Sequence, residues 1–236
     1  MSPTLYLIPS VLEIDAVHTL SEENKNILKE LKVFFVEDLR TARRFLKKVH
    51  RDIVIDELTF YLINEHESTD IQFAEKHFKD GQSIGLLSDC GTPAIADPGA
   101  RLVARAHDLD VRVKPISGPN SIMLALMASG FNGQQFKFNG YIPVKDPKRK
   151  DVIRALEDES KRKNITQIFI EAPYRNEQLK EALLKTLKAE TQLSISCNLT
   201  AADEIIISKK VKDWPAANIN IHKKPAVFML YCAGMG

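Results

Sequence analysis

Four short stretches carry residue types that could do chemistry, each where an apolar run gives way to a helical one. The first is Ser88-Asp89-Cys90-Gly91-Thr92-Pro93, continued through Ile95 to Asp97-Pro98-Gly99. In open α/β sheets, ligands bind in the crevice outside the carboxyl ends of the strands. Gly91 would let a ligand approach the backbone closely, and apolar Ile95 beside free amides suits a ligand with polar and apolar parts. The second is Ile116-Ser117-Gly118-Pro119-Asn120-Ser121. Asn120 and Ser121 fall in a first helical turn, where side-chain oxygens cap amides that could otherwise bind an anion. The third, Glu37-Asp38-Leu39-Arg40, sets two carboxylates beside an arginine and could position a hydroxyl nucleophile. The fourth, Glu171-Ala172-Pro173-Tyr174-Arg175, carries another opposite-charge pair. Each also admits a plainer reading, as a capped turn or a surface ion pair.

A fifth feature is a basic run. Lys145, Lys148, Arg149, Lys150 and Arg154, followed by Lys161-Arg162-Lys163, stand in a chain of 33 Lys+Arg against 31 Asp+Glu, net charge +2. That balance excludes a globally basic nucleic-acid clamp but leaves room for local phosphate contact. A solvated helix face is the alternative, with Asp151, Glu157, Asp158 and Glu159 diluting the charge. Asp146-Pro147 reads as the start of that helix, Asp146 as its cap.

Other chemistries lack their residues. The six histidines, at 18, 50, 66, 77, 107 and 222, never pair at helical spacing, so no metal site is expected. No Gly-rich phosphate loop of the nucleotide-binding types is present, and no Ser nucleophile elbow. Cys90, Cys197 and Cys232 show no metal spacing, and an odd count argues against a disulfide framework. A reducing cytoplasm is the expected home. No apolar run reaches the ~18 residues of a membrane span, and residues 1–6 carry no basic segment ahead of an apolar one, so neither membrane nor signal peptide is expected.

The elements that must position these residues alternate. The 236 residues are 44% hydrophobic, enough for one large or two small domains. Apolar runs at 4–9, 33–37, 60–63, 83–89 and 112–116 read as strands, and residues 21–32, 40–49 and 68–80 as helices, the last stopped by Gly81. Asp97 reads as an N-cap and Pro98 as the first residue of a helix carrying Leu102, Val103, Ala106 and Leu109. This β-α-β-α order predicts a mostly parallel sheet flanked by helices. Residues 120–129 form a helix apolar all round, which predicts burial between two layers, as between two domains. Beyond it, strands are expected at 136–142, 166–172, 192–199, 204–211 and 226–232. The last three leave no room for helices, so they must pair antiparallel in a mixed sheet. The reading is therefore α/β with two domains, 1–117 and 118–236.

Taken in order, Ser88 to Gly99 and Ser117-Gly118-Pro119-Asn120-Ser121 resemble the tetrapyrrole methylase family, the class III methyltransferases that use S-adenosylmethionine. Within it, the chain is most similar to the branch that methylates a cytidine ribose 2′-hydroxyl in 16S ribosomal RNA. The narrower match rests on Glu37-Asp38-Leu39-Arg40, Asn64-Glu65-His66-Glu67, residues 136–143, the basic run, Glu171-Ala172-Pro173-Tyr174-Arg175, and Leu199-Thr200 with Glu204. The resemblance implies a ligand cleft between the two domains. It implies cofactor contacts at Pro9, Cys90, Gly91, Thr92, Ile95, Asn120, Ser121, Ala172, Leu199 and Ala226, with Cys90 a lining residue and no metal. It implies a homodimer and, as partner, ribosomal RNA or the small ribosomal subunit, met by the basic run and Arg175. The sequence departs from the family at Pro9-Ser10-Val11-Leu12, where a Gly normally follows the Pro, and at Leu39, where the branch usually has Thr. It ends at Gly236, without the C-terminal extension that many members carry.

Methyl transfer to a ribose hydroxyl calls for in-line positioning and a general base. Asp38, Asp89, Glu37 and Glu171 are the candidates, unranked by sequence, with Arg40 and Arg175 to bind phosphate or orient a carboxylate. Two rivals remain open at this point. One is a methyltransferase of a tetrapyrrole or another small molecule. The other is a non-catalytic relative that binds RNA or protein.

Overall fold

Five short apolar runs of the first half pair into one sheet. β1 (Thr4–Ile8), β2 (Val33–Val36), β3 (Thr59–Leu62), β4 (Ile84–Leu87) and β5 (Arg112–Pro115) lie in the order β3-β2-β4-β1-β5, with every neighbour parallel. The structure, a computed structural model, describes residues 2–63, 69–217 and 219–232. The Asn64-Glu65-His66-Glu67 segment lies outside them. Parallel strands need crossovers, and α1 (Glu22–Glu30), α2 (Leu39–Val49), α3 (Thr69–Lys79) and α4 (Ala100–Asp108) supply them. β2 reads Val-Phe-Phe-Val and is buried throughout, as a central strand covered on both faces must be. Phe34 joins Ile8, Leu28 and Leu46 on one face, and Phe35 joins Leu5, Ala74 and Leu102 on the other.

The second half builds a mixed sheet. β6 (Phe136–Tyr141), β7 (Thr166–Ile170), β8 (Gln192–Cys197), β9 (Ile205–Lys210) and β10 (Ala226–Tyr231) take the order β6-β7-β10-β8-β9. Only β6 and β7 run parallel, joined across α6 (Lys148–Lys163); the other three pairings are antiparallel. α7 (Asn176–Thr186) follows β7, and Ile153, Phe169, Leu183, Ile195, Trp214 and Phe228 lie in the core between helices and sheet. The chain divides into two compact units, Met1–Asn120 and Ser121–Gly236.

Three local expectations need correction. Asp97 does not cap α4. Gly99 occupies the N-cap position at φ +123°, and the Asp97 carboxylate is taken by the Ser88 hydroxyl at 2.6 Å. Asp146 does not cap α6 either. Pro147 holds that position, and Asp146 instead pairs with Arg149 and Lys150. Finally α5 (Ser121–Ser129), apolar all round, buries Ile122, Ala125, Leu126 and Ser129 while Met127 is 80% exposed. Within its unit it lies against β8, β9 and β10.

Candidate active site

Three turns meet where the first sheet's strands end. After β4 the chain makes a tight excursion before α4, with Gly91 at φ +82° and two L-residues, Ala94 (φ +63°) and Ala96 (φ +61°), in the left-handed region. Such conformations persist only where the surroundings enforce them, and they cluster at ligand sites. The enforcement here is visible. Ser88 is buried; its hydroxyl donates to Asp97 at 2.6 Å and accepts the Cys90 N–H at 3.1 Å. The turn after β1 is bonded to the same excursion, since the Ser10 N–H donates to the Gly91 carbonyl at 2.9 Å. Buried Asn24 holds the Pro9 carbonyl at 2.9 Å. Gly118, in the turn after β5, packs so closely on Pro9 that an added Cβ would sit 2.4 Å from the proline Cβ. Asn120 then donates its side-chain amide to the Thr92 hydroxyl at 2.5 Å.

Pro9, Cys90, Gly91, Thr92 and Asn120 are thus brought together at the carboxyl ends of β1, β4 and β5. Ser121 follows at the start of α5, and Ile95 stands 52% exposed in the same excursion. The first turn lacks the family's glycine, and the small Ser10, 2% exposed, lets it lie flat on Gly91.

Beside these turns lies a set of acids. Asp89 donates its N–H to Glu37 Oε1 at 3.2 Å, and its own carboxyl takes the Asp38 N–H. Glu37 is half-buried, and its carboxyl is pushed up to about 7, first by burial and then by the negative charge of Asp97. Asp89 and Asp97 are also raised, chiefly by burial. Burial and the charges of Asp97, Asp89 and Glu37 push the Cys90 thiol up to about 11, so it stays protonated near neutrality. A thiol held in its protonated form is a poor nucleophile. Asp38 differs from its neighbour. It is exposed and caps α2, accepting the Thr41 N–H at 2.7 Å and the Thr41 hydroxyl at 2.8 Å, which lowers its carboxyl. Arg40 is exposed on the first turn of α2.

In the second unit, Ala172, Leu199 and Ala226 gather at one end of the sheet. Ala226 opens β10 opposite Cys197, and Val227 opposes Ile170 at the end of β7. Glu171 is buried there, and its Oε1 accepts the Ala172 N–H at 2.6 Å and Arg175 Nη2 and Nε at 2.6 and 2.9 Å. With that oxygen so occupied, Glu171 acts as the anchor of Arg175. The basic run lies on the first turns of α6. Lys145, Lys148 and Arg154 are exposed, while Arg149 and Lys150 reach Asp146 at 3.2 and 3.1 Å.

The roles of two groups escape sequence reasoning. Ser88 ties its loop together, and a Ser-Asp pair at the end of an apolar run is its one signal. Thr200, at φ +71° beside Leu199, buries a hydroxyl without a partner among the described residues. No sequence pattern marks that, because burial of one hydroxyl is a tertiary property.

A family model described as tetrapyrrole (corrin/porphyrin) methylases matches residues 14–215. A relative from Vibrio cholerae serotype O1, named ribosomal RNA small subunit methyltransferase I, is 30% identical over 98% of this chain and 77% of its own length. A relative of the same name from Micromonospora olivasterospora is 31% identical over 91% of this chain and 65% of its own length. The solved structure of uroporphyrin-III C-methyltransferase from Thermus thermophilus, complexed with S-adenosylhomocysteine, matches with a TM-score of 0.56 at 13% identity over 97% of both chains, which shows the shared fold. With the family model covering most of its length and curated relatives at these identities, the chain belongs to the tetrapyrrole (corrin/porphyrin) methylase family of methyltransferases.

Proposed function

We propose that this chain transfers a methyl group from S-adenosylmethionine to a ribose 2′-hydroxyl of small-subunit ribosomal RNA, with Glu37 as the general base. The observation that carries the reading is the carboxyl at the end of β2. It is half-buried, poised at about 7, and bonded to the main chain of the turn that leads into Cys90, Gly91 and Thr92. A base works best when its pKa lies near the operating pH. The ribosomal substrate comes from the names of the relatives at 30 and 31% identity.

The residues present fit the cofactor. Gly91 offers bare backbone, exposed Ile95 an apolar contact, Asn120 and Thr92 paired polar groups, and Thr200 an orphaned buried hydroxyl. Pro9, Cys90, Ser121, Ala172, Leu199 and Ala226 complete the contacts in this reading. Bound there, the cofactor supplies an activated methyl on a sulfonium whose departure leaves a neutral thioether. The chain's own work is to hold the ribose oxygen in line and to take its proton on the Glu37 carboxylate, whose Oε1 the Asp89 N–H keeps aimed. Asp89 and Asp97, themselves desolvated, keep Glu37 from ionising too early. Lys145, Lys148, Arg149, Lys150 and Arg154 hold phosphate, and the active species is a homodimer in the cytoplasm.

The test is methyl incorporation from labelled S-adenosylmethionine into undermethylated small ribosomal subunits, followed by digestion to locate the methyl on a ribose. Incorporation into a ribose supports the reading. A protein inert on the subunits yet active on a tetrapyrrole overturns it. Neutralising Lys145, Lys148 and Arg154 together should weaken RNA binding and flatten its salt dependence. Light scattering at micromolar concentration checks the dimer.

A further inference from the structure

At the carboxyl ends of β6 and β7 stand two large rings that the chain leaves in solvent. Tyr141 ends β6 and is 64% exposed; Tyr174 follows β7 and is 61% exposed. Tyr141 pairs in register with Ile170, next to Glu171, and its hydroxyl lies within electrostatic reach of Arg175. Tyr174 therefore lies against this arginine, and Tyr141 stands in its neighbourhood. The guanidinium of Arg175 is not a free cation. Glu171 Oε1 receives two of its nitrogens, at 2.6 and 2.9 Å, and a third donates to the Tyr174 hydroxyl. Its carbon lies 4.7 Å from the centre of the Tyr174 ring, over one face. With one face on Arg175, the exposed area of Tyr174 belongs to its other face and edge.

This construction is rigid for a surface. Glu171 is 7% exposed and also accepts the Ala172 N–H, while the Pro173 carbonyl is held by the Lys223 N–H at 3.1 Å. A buried carboxylate thus pins an arginine, and the arginine pins a tyrosine ring. Rings that only padded a surface would need no such support. What an exposed, pre-positioned ring backed by a cation recognises is a flat π-system, and in single-stranded RNA every unpaired base offers one. The polarity of the surroundings selects this occupant. Lys145 follows four residues after the end of β6, and exposed Lys148 and Arg154 stand on the helix beyond, cations suited to the backbone joined to such a base.

We infer that Tyr174, braced by the Glu171–Arg175 pair, and Tyr141 at the neighbouring strand end form a stacking platform for an unpaired nucleobase of the RNA substrate. The inference rests on the RNA reading above and adds to it how the strand is held. Phosphate contacts bring the strand to the second unit; the platform takes a base out of its stack and fixes the backbone beside Ala172, Leu199 and Ala226. Stacking tolerates any base, so the platform positions the nucleotide without reading sequence.

The experiment uses the full chain and a short single-stranded oligoribonucleotide carrying one 2-aminopurine, whose fluorescence is quenched on stacking. Tyr174→Ala and Tyr141→Ala should each weaken binding roughly fivefold to a hundredfold and reduce the quenching. The salt slope should stay at its native value, because no phosphate contact is lost. Tyr174→Phe and Tyr141→Phe keep the rings and should bind within about twofold of the native protein. Calorimetric affinity for S-adenosylhomocysteine should be the same in all five proteins, which also reports that each variant is folded. If the native protein binds the oligonucleotide and the alanine variants bind it equally well, the platform is overturned and the RNA reading stands. If S-adenosylhomocysteine affinity falls with the rings, they serve the cofactor and the platform is overturned. If the native protein binds no RNA at all, the RNA reading fails and takes the platform with it.

Discussion

Carboxyl groups at the strand ends of the first unit and those of the second are handled in opposite ways. Glu37, Asp89 and Asp97 are desolvated, crowded together and, among the described residues, joined to no lysine or arginine, and all three are raised. In the second unit Glu171, at the end of β7, is buried but clamped by Arg175, and on α6 Glu159 is pulled down to about 2 by Lys163, Lys137 and Gln167. Burying a charge is costly unless it is paired. The second unit meets that cost with cations and gains fixed geometry. The first leaves it unmet, and the result is a proton that can come and go near neutral pH. One arrangement suits a base; the other suits a scaffold.

The largest effect expected from breaking this contrast is on catalysis. Glu37→Gln keeps an oxygen for the Asp89 N–H but cannot accept a proton. Its kcat should fall by roughly a hundredfold to ten-thousandfold. In the native enzyme, activity should rise as pH passes about 7, the value to which Glu37 is pushed, and this limb should vanish in the variant. Stability gives an independent readout. Because the folded-state value lies above the ordinary 4.5, the folded protein holds this proton more tightly than the unfolded chain does. The stability so gained is fully present below pH 4.5 and is lost as pH rises to about 7. Glu37→Gln should therefore melt a few degrees above the native protein at pH 8, and the gap should close on acidification. A constant gap across that window would mean that Glu37 does not titrate there.

Next in size is the clamp. Arg175→Met strands the Glu171 carboxylate without its partner, and breaking a buried pair by removing one member is strongly destabilising. Thermal melting should drop by on the order of 5–10 °C. The double variant Glu171→Gln with Arg175→Met should recover most of that loss, since no buried charge then remains. Equal melting of single and double variants would show that the arginine contributes packing alone.

How much of this could be read from residues alone differs between the same two regions. The fold was legible because it rests on patterns of local origin. Val-Phe-Phe-Val over residues 33–36 can only be a short buried strand, and three strand runs in succession near the carboxyl end had to pair antiparallel. The turns were legible as positions, since Gly91 and Gly118 mark where backbone comes close. Their wiring was not. Asp97 looked like a cap because Asp-Pro-Gly ahead of an apolar stripe is a helix start, yet the Ser88 hydroxyl nine residues earlier outcompetes α4 for it. Nor could sequence rank Glu37 over Asp38. The two are adjacent with the same chemistry, and only the fold turns one inward and the other onto Thr41.

A smaller effect is expected at Gly91, in the turn after β4. Gly91→Ala places a Cβ in the left-handed region, 3.1 Å from Leu12 Cδ2 and 3.4 Å from the Pro119 carbonyl oxygen. The strain should cost about 1–2 kcal/mol. In the proposed reading it should also weaken S-adenosylhomocysteine binding measured by calorimetry, by shifting the Ser10–Gly91 bond. A stable variant with native affinity would place the cofactor elsewhere.

The smallest effect sharpens the contrast most finely, because it concerns the residue next to Glu37. Asp38→Ala removes the cap of α2, which holds both the N–H and the hydroxyl of Thr41. Losing such a cap should lower the melting temperature by about 2–4 °C. The Asp38 carboxyl is held below its ordinary value by those two bonds, so its stabilising contribution is present above the ordinary 3.8 and fades as pH falls below it. The melting difference should therefore be constant from pH 8 to pH 5 and shrink only in acid; it is opposite in sign to the Glu37→Gln gap and closes at lower pH. The activity midpoint near neutrality should stay where Glu37 sets it. Loss of that limb in Asp38→Ala would instead make Asp38 the base, and the two neighbouring carboxylates would have to exchange roles.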